Sequence, residues 1–209
     1  MSIRRAFTLI ELLVVMVIIS VLIGILMPAL ASARARGRLT QCATNLRQVG
    51  MGFRSYLQDN SDIFPYASYM PSISPAPLPL QQGPIFISEV LAPHVSETDK
   101  VFACPQDLTG ADRDPPNSMS YFQSEKSSYQ YRTGDTLPEA TTGEGRGRPG
   151  LCGRSMAELV KLIYQRRERT LNENQIWIMS DFGNFHARAG APGSRRYLYL
   201  DGRVEDYDF

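Results

Sequence analysis

Apolar positions along the chain form one unbroken block, then a helical stripe, then short alternating runs near the end. Residues 7–27 read FTLIELLVVMVIISVLIGILM, 21 residues in which only Thr8, Glu11 and Ser20 are polar. As a helix this block is about 32 Å long at ~1.5 Å per residue, enough to cross the hydrocarbon core of a bilayer. Pro28 closes the block. Beyond it Leu39, Cys42, Leu46, Val49, Phe53 and Leu57 recur in steps of three and four, predicting an amphipathic helix over 28–58. Arg36, Gln41, Arg47 and Arg54 fall on the opposite face. Gly50 and Gly52 weaken this helix but leave room for a sheet to come close. If residues 7–57 are one helix, it is roughly 75 Å long.

The helical pattern ends at 59–62, and a head of 59–209 follows. Six prolines from Pro65 to Pro84 exclude helix or sheet interior there and predict a wrapping loop. Residues 85–91 (IFISEVL) predict a short helix or strand, and 101–105 (VFACP) a brief extended segment. Residues 106–154, rich in Gly, Pro, Ser and charge, read as a long exposed loop with an edge strand at Tyr129 and Tyr131. Ser155 and Glu158 have capping-box spacing ahead of the apolar face Met156, Leu159, Val160 and Ile163, predicting a second helix. Arg166, Arg167 and Arg169 fall in its last turn, where cations suit the helix dipole better than they argue for nucleic acid. Residues 175–180 contain IWIM, a buried strand. The alternating 195–200 (RRYLYL) and the run 203–207 flank Asp201-Gly202, a strong hairpin signal. The fold class is α+β, with a long N-terminal helix packed on a small antiparallel sheet.

Composition alters this picture mainly by exclusion. With 22 Lys+Arg against 21 Asp+Glu in 209 residues, the formal charge of +1 lacks the basic excess of a nucleic-acid binder. Three cysteines and two histidines are too few for a disulfide-dense scaffold or an obvious zinc cluster. The N-terminal block admits a secretory signal peptide, with Arg4 and Arg5 as its basic end and Ala29-Leu-Ala31 or Ala31-Ser-Ala33 as the cleavage site. The block is too long for that, and it carries a carboxylate. A plain membrane anchor accounts for the length but not for Glu11, since a lone carboxylate within hydrocarbon costs roughly 2.5–3.5 kcal/mol.

The run Ala6-Phe7-Thr8-Leu9-Ile10-Glu11 closely resembles the processing site of type IV pilins and type II secretion pseudopilins. The resemblance implies a leader of residues 1–6, removed by a prepilin peptidase that cuts between Ala6 and Phe7 on the cytoplasmic side and methylates Phe7. Ala6 stands where the family usually has Gly. Residues 7–27 then form the transmembrane segment, and Pro28 falls where pilins often place a kinking proline. Glu11, fifth in the mature chain, is expected to meet the Phe7 amine of a neighbouring subunit. Such a buried pair fixes register more than it adds stability. The charge signal for orientation is mixed, because Arg34, Arg36 and Arg38 oppose Arg4 and Arg5. The peptidase's cytoplasmic action decides for a cytoplasmic N-terminus and an extracytoplasmic head.

A second resemblance rests on Cys42-Ala-Thr-Asn-Leu-Arg-Gln48, Phe64-Pro65, Cys104-Pro105, Ser128-Tyr129, Phe185-His186 and Leu200-Asp201-Gly202. These look like the motifs of bacterial G-type pilin-like proteins, although the spacing from His186 to Asp201 is longer than usual. Because Cys42 and Cys104 sit in those motifs and the head would meet an oxidising compartment, the resemblance favours a Cys42–Cys104 disulfide. Cys104–Cys152 and three buried thiols remain open. Asp181, His186 and Asp201 are the cluster mixing His with carboxylates. The resemblance adds that pseudopilin heads sometimes hold Ca²⁺, a cation of oxygen ligands, in a C-terminal loop. The simpler reading has Asp201 making its turn and His186 bonding locally, with no cofactor. No nucleophile with a base and an orienting acid can be picked out, and residues 143–147 (GEGRG) lack the strand and the Lys-Ser/Thr of a phosphate loop.

The expectation is a pilin-like structural subunit, not an enzyme, assembled into a type IV pilus or a secretion pseudopilus. Its partners would be the prepilin peptidase, other pilin subunits, an inner-membrane assembly platform and lipid, without nucleic acid. The alternative is a single-pass, membrane-tethered binding or enzymatic domain that never polymerises.

Overall fold

The computed structural model describes residues 9–68, 85–107, 119–133, 151–167, 175–183, 186 and 193–206. Helix α1 runs Leu9–Asp59, and the chain divides within it into two compact units, Met1–Arg38 and Leu39–Phe209.

In the first unit, α1 presents Leu12, Val15, Ile19, Leu22 and Ile25 at about half exposure or more. Among the described residues α1 is the one helix long and apolar enough to cross a membrane. Apolar surface on every side suits lipid or other apolar helices rather than water. Its small polar groups turn inward on the backbone: Ser20 Oγ donates to the Met16 carbonyl at 2.7 Å and Ser32 Oγ to that of Ala29 at 2.8 Å. Pro28 lies inside the helix and, having no N–H, leaves the Gly24 carbonyl without its helical donor.

In the second unit α1 becomes one-sided. Cys42, Leu46, Val49, Phe53 and Leu57 are buried, while Gln41, Arg47 and Arg54 are exposed. The stripe packs on the antiparallel sheet β1(Tyr129–Tyr131), β2(Trp177–Asp181), β3(Arg196–Tyr199), β4(Val204–Asp206), ordered β1-β2-β3-β4. Registers are Gln130 opposite Ser180, Ser180 opposite Tyr197 and Tyr197 opposite Glu205. The Phe53 and Tyr131 rings meet with centroids 5.4 Å apart. A Cβ on Gly50 would stand 2.9 Å from Leu198 Cδ1, and one on Gly52 2.2 Å from Val95 Cγ2 and 3.2 Å from the His94 carbonyl oxygen. The two glycines therefore admit different neighbours: β3, and the 3₁₀ turn Ala92–His94 with Val95 after it. Arg54, on the outer face, donates Nε and Nη2 to the Leu200 carbonyl at 3.3 Å each, tying the helix to the β3–β4 turn.

The short elements are α2(Ile87–Leu91), α3(Thr98–Val101), α4(Tyr121–Glu125) and α5(Met156–Arg167). At the end of α1, Ser61 and Asp62 both take left-handed φ and the Asp62 N–H bonds back to the Leu57 carbonyl. Ser155 caps α5 as its spacing predicts, with Glu158 Oε2 accepting the Ser155 N–H at 2.9 Å and Ser155 Oγ the Glu158 N–H at 3.3 Å.

Two expectations need correction. Residues 101–105 are not extended throughout, because Val101 closes α3. Nor is the described part of 106–154 an exposed loop. Ser120 caps α4, whose Tyr121 is buried, and Ser127, Ser128, Thr133 and Leu151 are buried as well. Small polar residues gave this segment a loop composition, yet side-chain hydrogen bonds satisfy them inside the head. The prolines from Pro71 to Pro84, residues 143–147, Arg169 and the side chains of Ile163, Arg166 and Arg167 lie outside the described structure.

Candidate functional site

The sequence points to two regions. In the first, Glu11 lies in the N-terminal part of α1 as described, exposed among apolar neighbours. Ala6 and Phe7 lie outside the described residues.

The second region lies inside the head. Cys42 and Cys104 are joined by a disulfide with Cα atoms 5.0 Å apart, both nearly inaccessible. One turn on, Asn45 shares the face of Cys42. Its Nδ2 donates to the Lys100 carbonyl at 3.1 Å and the Ala103 carbonyl at 2.9 Å, so α1 grips the α3–Cys104 segment covalently and by hydrogen bonds. A polar residue on an apolar stripe was the signal that would have found Asn45. On the other side of Cys104, Ser128 Oγ accepts the Cys104 N–H at 2.9 Å and donates to Asp107 Oδ2 at 2.7 Å. Asp107 also receives the N–H groups of Tyr121 and Phe122 that open α4. The Tyr129 hydroxyl donates to the Cys42 carbonyl at 3.4 Å, and burial pushes that phenol well up.

Of the three residues considered for a cation, the structure pairs two. His186 Nε2 lies 2.9 Å from Asp181 Oδ2, with both side chains fully buried. The same Asp181 oxygen accepts the Arg196 N–H at 2.6 Å. Burial raises the Asp181 carboxyl, and His186 and Arg196 pull against it. The other face of the His186 ring, Nδ1, meets Gln106 Oε1. Nothing in the sequence signalled Gln106. Asp201 instead accepts from Arg203 in its own turn, at Oδ1 from the backbone and at Oδ2 from Nε. Slight burial pushes the Asp201 carboxyl up, but these Arg203 contacts outweigh it and hold it below the usual carboxylate range. The third cysteine, Cys152, is a free thiol that accepts the Ala67 N–H at 3.3 Å, and burial raises its pKa. Among the described residues, Cys42 Sγ, Cys104 Sγ and a His186 ring nitrogen lie within 4.8 Å of one another, so His186 stands against the disulfide.

The molecule is thus an α+β protein with a membrane-anchoring N-terminal helix and a disulfide-stapled head carrying a small antiparallel sheet. Residues 1–27 match the family model described as the prokaryotic N-terminal methylation motif, which marks a pilin-like protein of the kind a prepilin peptidase processes. No curated protein and no solved structure matches the chain at a significant level.

Proposed function

We propose that this chain is a structural subunit, not an enzyme, which is cut between Ala6 and Phe7 and joins other pilin-like subunits in a type IV pilus or a secretion pseudopilus. The observation that carries the reading is a helix apolar on all sides over residues 9–30, interrupted by Glu11 within the methylation motif. A carboxylate there has no use to an isolated anchor, but it complements the amine that processing creates on the next subunit. Before assembly the segment sits in the inner membrane with its N-terminus cytoplasmic and its head outside, held by lipid and by the assembly platform.

Replacing Glu11 with Ala tests this. Filament recovery should collapse while the N-terminus is still cut at Phe7 and the head keeps its disulfide and its far-ultraviolet dichroism. Unchanged filament recovery would favour a tethered domain that does not polymerise.

A further inference from the structure

The Cys42–Cys104 disulfide, His186 and Asp181 make one buried cluster that the assembly role does not use. Cys42 comes from α1, Cys104 from the segment after α3, and His186 from the chain after β2, so three separate stretches converge on one point. A tetrahedral zinc site with Zn–S bonds of about 2.3 Å and a Zn–N bond of about 2.0 Å needs ligand atoms roughly 3.5–3.8 Å apart. The two sulfurs and the imidazole nitrogen already lie within 4.8 Å of one another, and opening the S–S bond separates the sulfurs toward that spacing. Asp181 stands 2.9 Å from one ring nitrogen, the carboxylate contact that orients metal-bound imidazoles. The other ring nitrogen, Nδ1, meets the neutral amide of Gln106, a partner that a metal can displace.

We infer that the reduced chain binds a thiophilic divalent cation, zinc by preference, through Cys42 Sγ, Cys104 Sγ and His186. Thiolate and imidazole ligands select zinc over the oxygen-seeking Ca²⁺. The interconversion is balanced. A dithiol donor gives two electrons and two protons to the Cys42–Cys104 bond and becomes a disulfide itself. The cation then displaces the two thiol protons and forms two metal–sulfur bonds. The head therefore has two alternative staples at the same place, a metal before oxidation and a disulfide after it. Because the cysteines are nearly inaccessible, the metal enters while the reduced chain folds, not through the finished surface.

Cobalt is the probe, since its absorption reports both thiolate ligation and tetrahedral geometry. The full chain, in a Cys152→Ala background, is unfolded in guanidinium and reduced there with a phosphine, which becomes the phosphine oxide by taking oxygen from water while the hydrogens go to the sulfurs. A thiol count establishes reduction, and the chain is refolded into detergent with Co²⁺. One equivalent should bind with thiolate-to-cobalt charge-transfer and tetrahedral d–d bands. Cys104→Ser should roughly halve the charge-transfer intensity. Asp181→Asn should weaken binding about 10–100-fold, as loss of an orienting carboxylate does, and His186→Ala should weaken it further. The oxidised chain should take up none. Absence of the charge-transfer band in the reduced chain would overturn the inference. So would equal affinity in the His186→Ala chain, or in the Asp181→Asn chain should His186→Ala not fold.

Discussion

At the scale of single residues, Gly50 and Gly52 resemble one another in sequence and differ in consequence. A methyl group at Gly50 meets the far end of Leu198, a flexible side chain, and the helix gains roughly 1 kcal/mol when Gly becomes Ala. At Gly52 the methyl group runs into Val95 and the backbone of His94, which is held by the Ser55 Oγ–His94 Nδ1 contact at 3.2 Å. Denaturation of the detergent-solubilised chain should therefore find Gly50→Ala within about 1 kcal/mol of the parent and Gly52→Ala destabilised by about 1–3 kcal/mol. Equal losses at the two positions would mean that β3 is as unyielding as the 3₁₀ turn. The sequence leaves room for a sheet beside both glycines; β3 takes it at Gly50, but at Gly52 the neighbour is the 3₁₀ turn with Val95 after it. Which neighbour, and how stiff it is, depends on chain folded back from 40 residues and more away, and no local pattern encodes that.

At the scale of elements, what the sequence made legible follows periodicity and capping. The stripe Cys42, Leu46, Val49, Phe53, Leu57 predicted the buried face of α1, Asp201-Gly202 marked the β3–β4 turn where Gly202 has φ +88°, and Ser155 with Glu158 marked the start of α5. Elements stabilised by side-chain bonds across the chain were missed. Helix α4 has five residues and no periodicity to read, and it opens on Asp107 and Ser120 rather than on an apolar face. By contrast, the reading that Asp201 makes its own turn holds, through its bonds from Arg203, whereas only the fold shows that Asp181 and His186 pair with one another. The capping box supplies an element-scale prediction. Glu158 is held below the usual carboxylate range by the Ser155 backbone and hydroxyl. Its contribution is complete above the unfolded value, about 4.3, and is lost as pH falls through the lower folded value. Amide exchange of Leu159, whose N–H bonds the Ser155 carbonyl, should accelerate on acidification relative to the core. A Glu158→Gln chain keeps the box geometry and should lose that pH dependence. Ser155→Ala should cost about 1 kcal/mol at neutral pH.

For the whole molecule, the disulfide closes a loop with a sequence separation of 62, which in the chain-entropy view contributes about 4 kcal/mol. A Cys42→Ser, Cys104→Ser chain should lose stability on that scale in chemical denaturation, and the hydrogen bonds of Asn45 should keep the α3–Cys104 segment near α1 in what remains folded. A loss below about 1 kcal/mol would mean that the unfolded chain keeps these segments together without the bond, and that the chain-entropy view fails here. The buried stripe of α1 also carries a consequence for the order of events during synthesis. Its cover is completed by Tyr131 on β1 and Leu198 on β3, and β3 leaves the ribosome long after the stripe does. From the moment residue 57 emerges until residue 198 follows, the stripe has no finished partner. The newborn chain thus presents two greasy surfaces, one suited to lipid and one waiting for β1 and β3. Delivery to the membrane must keep the second from being mistaken for the first.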